Sequence, residues 1–473
     1  MKQLSICLLA CLSIWPSALR AEFRNWTNAD GKSIDAELIK VDGDKVTFRL
    51  RDGSTSVYPH AKLSESDREY ITNHPASDPA SDPAAAPGTA GTSPSGPAAK
   101  RRPNTYLAIF INGYGADPLP PEPARFEKLL EAITKEGNFN AILCQYTPER
   151  EALCKQHKVL MVVDLLAEPH VYKSPQECEK LLKSLQNNPT VVAYHLWADR
   201  FGKQGAGRAR DIDNVHAWDP THATYSGTYQ SAGLNFLAKS DFISYYDFHW
   251  KRGPQQNFPN LLAAWNTAKA NDSRLGRYCA TDAGQPGKGN FNRLLYTQTT
   301  SIACGLRAAM WHIGSRIMNM NDFQFNGYGK DLALVNAWIE PLRSEIAKIG
   351  LPTAIYSTAW TLDWNNRPVQ ATDGKAAMPP GLENQAFPAD FWIQPASGEF
   401  VMGVSKYNST GKDVVFIANH NAYAEQNVTL KLARAAKPRV FNRASRTYQD
   451  ASVRDGAFSF KLDPAGAAIV LFD

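Results

Sequence analysis

Apolar positions along this chain follow two different periods, and the switches between them divide it. Between residues 22 and 73, apolar runs at 23–26, 34–41, 46–50 and, more weakly, 54–58 are separated by Asn28-Ala29-Asp30-Gly31, Asp42-Gly43-Asp44 and Asp52-Gly53. A period of two, broken by Asn, Asp and Gly, is the pattern of antiparallel strands joined by hairpins, so a small β module is expected there. Residues 74–104 are mainly Ala, Pro, Ser and Gly, with Ala-Ser-Asp-Pro written twice at 76–79 and 80–83. Such a stretch buries too little apolar surface to offset its ordering entropy and reads as a flexible linker.

From residue 105 to 390 short apolar runs alternate with amphipathic ones. Strands are predicted at 106–112, 141–146, 159–165, 191–197, 242–248, 277–282, 307–312 and 353–356, and helices at 124–135, 148–156, 175–185, 260–269, 292–302 and 332–349. This alternation builds a parallel sheet from βα units. Eight strands in that order predict closure into a (β/α)8 TIM barrel, and no glycine-rich nucleotide loop follows the first strand to favour an open doubly wound sheet. After residue 391 the period of two returns, with strands predicted at 400–405, 414–419, 427–432, 439–442, 457–462 and 467–472. That spacing predicts an antiparallel β-sandwich over 391–473. The expected fold class is therefore α/β: a TIM barrel with a small N-terminal β module and a C-terminal sandwich.

Composition changes this picture little. With 43% hydrophobic and 21% charged residues the chain is globular, and a net charge of +5 over 473 residues is too mild to imply nucleic acid. Lys2, the apolar run 4–15 and the small residues Ala18 and Ala21 read as an export signal over residues 1–21, so a secreted, periplasmic or cell-surface location is expected. Leu8-Leu9-Ala10-Cys11 fits a lipoprotein box less well, because the apolar run continues past Cys11. No other segment approaches the roughly 20 apolar residues of a spanning helix, so no integral membrane segment is expected after removal of the signal. Cys144, Cys154, Cys178, Cys279 and Cys304 remain, an odd set without a Cys-x-x-Cys pair or zinc-type spacing. Cys279 and Cys304 are expected as buried apolar thiols.

In a TIM barrel the reacting groups stand where strands end, on the C-terminal face. The predicted strand ends carry Asn112, Tyr114, Gln145, Tyr146, Asp164, Glu168, His195, Trp197, Asp199, Asp247, His249, Trp250, Asp282, Trp311, His312 and Trp360. Any one aromatic residue in such a set more often fills a core. Rings, carboxylates, amides and imidazoles together suit a sugar, whose faces stack on rings and whose hydroxyls need fixed polar partners. A phosphate ligand would instead want Arg and Lys. His195, Asp247, His249 and His312 are residue types that hold a divalent metal, but no recognised spacing accompanies them, so neither metal nor cofactor is expected. There is no Gly-x-Ser-x-Gly elbow, and Cys279 falls inside a strand, which argues against a serine or cysteine hydrolase.

The stretch NNPTVVAYHLWADR, residues 187–200, resembles the strand-four motif of clan A glycoside hydrolases, and WDPTHATYSG and DFISYYDFHW resemble the stretches that follow it there. The likeness spans residues 106–360. It implies a glycosidase barrel whose acid/base falls on Asp199, where the family has glutamate, with Ala198 and Arg200 replacing the flanking residues. Aspartate is shorter by one methylene, and an inward Arg200 would favour its ionised form, so the departure bears directly on proton donation. The family's nucleophile follows strand seven. On the predicted count that place reads Trp311-His312-Ile313-Gly314-Ser315, without a carboxylate, so Asp282 or Asp247 is expected as the second acid. Residues 22–73 resemble the SLA1 homology domain 1 family, small SH3-like barrels that bind proteins, which implies either a protein partner or a spacer.

Two functions stay open at this point. One is an exported glycoside-hydrolase-like protein that binds and cleaves carbohydrate through Asp199, Asp282 and Asp247, with Asn112, Tyr114, Tyr146, Asp164, Glu168, His195, Trp197, His249, Trp250, Trp311, His312 and Trp360 holding the substrate. The other, favoured by the loss of both family glutamates, is a catalytically degenerate barrel that binds glycan or protein at the cell surface.

Overall fold

The chain builds two units, Met1–Ser95 and Gly96–Asp473. The computed structural model describes residues 23–30, 33–50, 55–73, 103–112, 119–166, 174–197, 205–228, 234, 237–247, 254–280, 290–363, 367–369 and 377–473. In the first unit, strands β1 (Phe23–Thr27), β2 (Ser33–Asp42), β3 (Lys45–Leu50) and β4 (Thr55–Pro59) pair antiparallel in sequence order, followed by helix α1 (Glu65–Asn73). Gly43, at φ +59, supplies the left-handed turn between β2 and β3. Trp26, Ala36, Val46, Phe48, Leu63 and Ile71 form the core, and the Trp26 Nε1 donates to the Ala36 carbonyl at 2.8 Å. Asp67, in the first turn of α1, accepts from the Thr27 amide at 2.6 Å and ties the helix to the end of β1.

The second unit opens with a closed barrel of eight parallel strands: β5 (Leu107–Ile111), β6 (Ala141–Cys144), β7 (Leu160–Asp164), β8 (Val191–Trp197), β9 (Ala223–Thr228), β10 (Phe242–Asp247), β11 (Arg274–Ala280) and β12 (Leu306–His312). Helices α2 (Pro123–Glu131), α3 (Pro148–Gln156), α4 (Pro175–Leu185), α5 (Gly205–Trp218), α6 (Pro254–Ala270) and α7 (Phe291–Ala303) connect most of them. After β12 come α8 (Gly314–Ile317), α9 (Gly327–Ile339) and α10 (Arg343–Lys348).

The barrel is the expected one, but its eight strands are not the expected eight. β9 was not foreseen, because Ala-Thr-Tyr-Ser-Gly-Thr offers almost no apolar run. The predicted eighth strand, at 353–356, is β13 (Ala354–Ser357), which pairs antiparallel with a sandwich strand. Strands five to eight of the barrel are thus β9 to β12.

Alternation sorts the strand residues cleanly. Leu107, Ile109, Leu143, Val162, Ala193, Tyr225, Phe242 and Met310 fill the lumen, while Phe110, Cys144, Val163, Tyr194, Ile243, Cys279 and Trp311 belong to the core shared with the helices. Tyr225 reaches across a gap left by Gly276, where an added Cβ would stand 2.8 Å from the tyrosine oxygen. Its hydroxyl lies 3.2 Å from the Ser244 hydroxyl and accepts from the Arg277 amide at 3.1 Å, so a polar tip deep in the lumen is satisfied. All five described cysteines are buried and free, and burial pushes the Cys178 thiol up to about 12.

The sandwich continues as β14 (Ile393–Ser397), β15 (Phe400–Lys406), β16 (Asp413–Asn419), β17 (Gln426–Leu432), β18 (Pro438–Asn442), β19 (Thr447–Asp450), β20 (Ala457–Leu462) and β21 (Ala467–Phe472). One sheet runs β13-β15-β16-β21-β18-β19 and the other β14-β17-β20. Helix α7 lies between the barrel and the first of these sheets. It is almost wholly buried yet carries Thr297, Gln298, Thr299, Thr300 and Ser301. Each of the four hydroxyls donates to the carbonyl four residues back, at 2.7 to 3.0 Å, so small polar side chains allow close approach on both sides without orphaned groups.

At this junction His420 is fully buried, its Nε2 2.8 Å from the Ser357 hydroxyl and its Nδ1 3.4 Å from the Tyr296 hydroxyl. Burial holds its imidazole down at about 3. An unfolded histidine titrates near 6.5, so only the unfolded chain takes up this proton between those values. The stability contributed by the neutral ring is complete above about pH 6.5 and falls by up to about 1.4 kcal/mol per pH unit on further acidification. Urea unfolding at pH 7.5 and 5 should show this slope, and it should flatten in His420→Asn.

Candidate active site

β7 and β8 are neighbours in register, with Asp164 opposite His195, and both residues follow lumen positions, Val162 and Ala193, by two. Their side chains meet: His195 Nδ1 lies 3.1 Å from Asp164 Oδ1. The same carboxylate oxygen accepts from the Leu166 amide at 3.1 Å, and the ladder runs on past β7 through the Leu165 amide to the His195 carbonyl. A carboxylate only accepts, so Nδ1 carries the proton and the ring's orientation is fixed. His195 is 0% and Asp164 4% exposed, and the ring centroid of Tyr225 is 6.3 Å from the imidazole. These three residues form a built polar floor at the C-terminal end of the lumen. Asp164→Ala should cost about 1–3 kcal/mol in urea unfolding, because it removes a buried hydrogen bond to the imidazole.

Behind β8 a second network fixes the strand from outside. Tyr194, on the helix-facing side, donates to Asp219 at 2.6 Å, and His222 Nδ1 lies 2.7 Å from the same oxygen. The Thr221 amide and hydroxyl donate to the other oxygen at 2.7 and 2.6 Å. Burial raises the Asp219 pKa, but the bonds from His222, Thr221 and Tyr194 outweigh it and hold the carboxyl well below the usual range. The WDPTH stretch that precedes β9 is thus a strand-to-strand clamp. Asp219 and His222 stand before β9, whose sequence has almost no apolar run, so position after a strand does not point to them. Nor does it point to Tyr225 and Ser244, which lie within strands, below the mouth.

The other expected ligand-binding residues separate into three groups. Asn112 sits at the mouth, 7% exposed, and its Oδ1 accepts from the Ser315 amide at 2.7 Å, pinning the turn after β12. Gly314 makes that approach feasible, since a Cβ there would meet Phe110 at 2.4 Å. Two of the aromatic residues, Trp311 and Trp360, are buried away from the lumen, and a third, Tyr146, is half-buried. Trp311 alternates with Met310, faces the helices and is 2% exposed. Trp360, 3% exposed, follows β13 instead of a barrel strand and stands edge-on to His420 at 5.9 Å. Tyr146 packs against the helix-side core and donates to Glu151 at 2.8 Å; burial, then that bond, pushes its hydroxyl up to about 12.

Trp197, Asp247 and His312 are the last residues of β8, β10 and β12, but their side chains lie outside the described residues. Tyr114, Glu168, Asp199, His249, Trp250 and Asp282 lie outside them altogether. Among the described residues no group of three metal-binding side chains occurs, and no helix is long and apolar enough to cross a membrane.

No family model and no curated protein matches the chain. Solved structures similar to it include an Anoxybacillus alpha-amylase, 11% identical with TM-score 0.43 over 77% of this chain and 97% of that one. A glycoside hydrolase family 5 protein from Bacteroides vulgatus is 9% identical with TM-score 0.44, over 78% of this chain and 89% of that one. An endo-beta-1,4-mannanase from Thermotoga petrophila is 11% identical with TM-score 0.35, over 77% and 92%. The barrel itself is defined by the eight parallel strand pairings of this chain.

Proposed function

We propose that the chain is a glycoside hydrolase that takes carbohydrate into the C-terminal mouth of its barrel and cleaves it between Asp199 and Asp282. One observation carries this reading. The fourth barrel strand ends at Trp197 and the seventh at Ala280, so an aspartate stands two residues beyond each in the sequence. Clan A glycosidases, which residues 187–250 resemble, place the acid/base after strand four and the nucleophile after strand seven. With Arg274–Ala280 as strand seven, the second carboxylate that 311–315 lacked falls on Asp282. β8 and β11 are three steps apart around an eight-membered ring, so groups rising from their ends reach one bond from nearly opposite sides. Asp247 is then not needed as the second acid.

In this arrangement Asp199 protonates the leaving oxygen and Asp282 attacks, or activates water, on the other side of the sugar. The buried Asp164–His195 pair fixes the ends of β7 and β8 beneath the mouth, where Trp197 ends β8. Residues 1–21 we read as an export signal, and residues 22–73, on their likeness to SLA1 homology domain 1, as a protein-binding module joined by the linker 74–104. Incubating the purified protein with a glycan panel and measuring new reducing ends tests the reading. Released sugar is expected. Calorimetric binding without release would instead favour a barrel kept only for glycan binding.

A further inference from the structure

The two sheets of the sandwich are unequal, six strands against three. Core-facing residues of β15, β16 and β21, such as Met402, Ile417 and Val470, are buried against β14, β17 and β20. The cover stops there. On β18 and β19 the same face carries Val440 and Gln449, opposite each other in register, and Val440 is only half-buried while Gln449 is exposed. Beside β20, over this uncovered face, runs a groove of about 680 Å³ whose lining includes Val440, Gln449, Ala451, Ser459 and Phe460.

The floor of the groove is held from behind. Alternation turns Phe441 and Tyr448 to the opposite face, where the Tyr448 hydroxyl donates to Glu345 of α10 at 3.2 Å. Arg443 lies over the Trp338 ring of α9 at 3.9 Å, and Arg446 pairs with Glu340 at 2.6 Å. The hairpin of β18 and β19 is thus fastened to the barrel, although no second sheet covers its inner face. One wall of the groove is a bare strand edge, since β20 pairs with β17 and, among the described residues, with no strand on its other side. In an antiparallel ladder, alternate residues turn N–H and C=O toward the partner strand. The Leu432 amide donates to the Gly456 carbonyl at 2.7 Å, so in the same register Phe458, Phe460 and Leu462 bond to β17. Ser459 and Lys461 therefore turn their backbone groups the other way, to the groove.

We infer that the groove is a docking site for one extended peptide segment of a partner protein, which adds a fourth strand to the three-stranded sheet by pairing with Ser459 and Lys461. Side chains of such a strand alternate, so every second one meets Val440, Ala451 and Phe460 and is apolar, while the others reach solvent. Among the charged lining residues, Asp450 is held by Arg439 at 3.3 Å and Lys461 by Glu425 at 2.8 Å. That leaves Arg454, among the described residues, as the lining charge that an acidic side chain of the segment completes. A second copy of this chain does not fit, because antiparallel pairing of β20 with its own copy about a two-fold axis would drive both overhanging hairpins into one layer. A saccharide is disfavoured too: Phe460 stacks on Phe458 at 5.9 Å, and no tryptophan or tyrosine is among the described lining residues to offer an open ring face. The inference is independent of the chemistry at the barrel mouth.

A random heptapeptide library displayed on phage and selected on the full chain supplies the probe, and calorimetry with the synthesised winners reads it. The winners should alternate apolar and polar residues, with an acid among the polar ones. Ser459→Pro should weaken their binding by about tenfold or more, because it removes an N–H on the groove side and none that serves β17. Gln449→Trp, which fills the groove from an exposed position, should do the same, whereas Ser459→Ala should leave binding within about twofold. With peptide bound, exchange of the Ser459 and Lys461 amides should slow by about tenfold, and the urea midpoints of all three variants should match the parent's. A selection that yields no peptide sensitive to Ser459→Pro and Gln449→Trp overturns the inference, as does slowed exchange confined to other segments. Oligosaccharide binding that Gln449→Trp abolishes while peptide binding persists assigns the groove to sugar and overturns it equally.

Discussion

Asp282→Asn is expected to lower kcat by about 10³-fold or more on any glycan the parent cleaves, with folding unchanged, because an amide can neither attack the sugar nor activate water. Asp199→Asn should cost about 10²–10⁴-fold on the same glycan, the usual worth of a positioned proton donor. The two variants should part company on a nitrophenyl glycoside, whose leaving group departs without protonation: Asp199→Asn should regain much of its rate and Asp282→Asn none. Steady-state kinetics on both substrates checks this. An Asp199→Asn variant that cleaves the natural glycan as fast as the parent would remove that residue from the mechanism.

Gly403→Ala should destabilise the second unit by roughly 3 kcal/mol or more, read as a lower urea midpoint. Its Cβ would stand 1.8 Å from the carbonyl oxygen of Ala303. Both sides of this clash are tied to backbone, so no side-chain rotation relieves it. Either β15 or the end of α7 must move, and α7 also holds the Ala465 carbonyl through Thr299 at 2.8 Å and His420 through Tyr296. A variant as stable as the parent would mean that barrel and sandwich do not meet along this helix as described.

The β/α alternation of the barrel was legible because β5, β6, β7, β8 and β12 are buried on both faces and read as short apolar runs between helices. β9 was not, since Thr224 and Ser226 face outward and Gly227 follows Tyr225: its burial rests on small size and hydrogen bonds to the Ser240–Asp241 turn instead of hydrophobicity. Missing it shifted the count by one, and the apolar Ala354–Ser357, a sandwich strand, filled the vacancy. That single slip hid the relation of Asp282 to strand seven. Strand alternation could also have excluded Trp311, because Met310 and His312 cannot share a face with it. The burial of Trp360 was not legible, since it depends on His420, sixty residues away in the sequence. Asp164 and His195 were identified one at a time as strand-end residues; only the register of β7 against β8 makes them a pair.

The most direct test of the whole account is a crystal structure with an oligosaccharide bound, read for the distance between the carboxyl groups of Asp199 and Asp282. The account predicts that both flank one glycosidic bond in the mouth, about 5 Å apart in a retaining enzyme or about 6.5–9.5 Å apart in an inverting one. Carboxyl groups well beyond about 10 Å apart, or sugar bound away from the ends of β8 and β11, would contradict it.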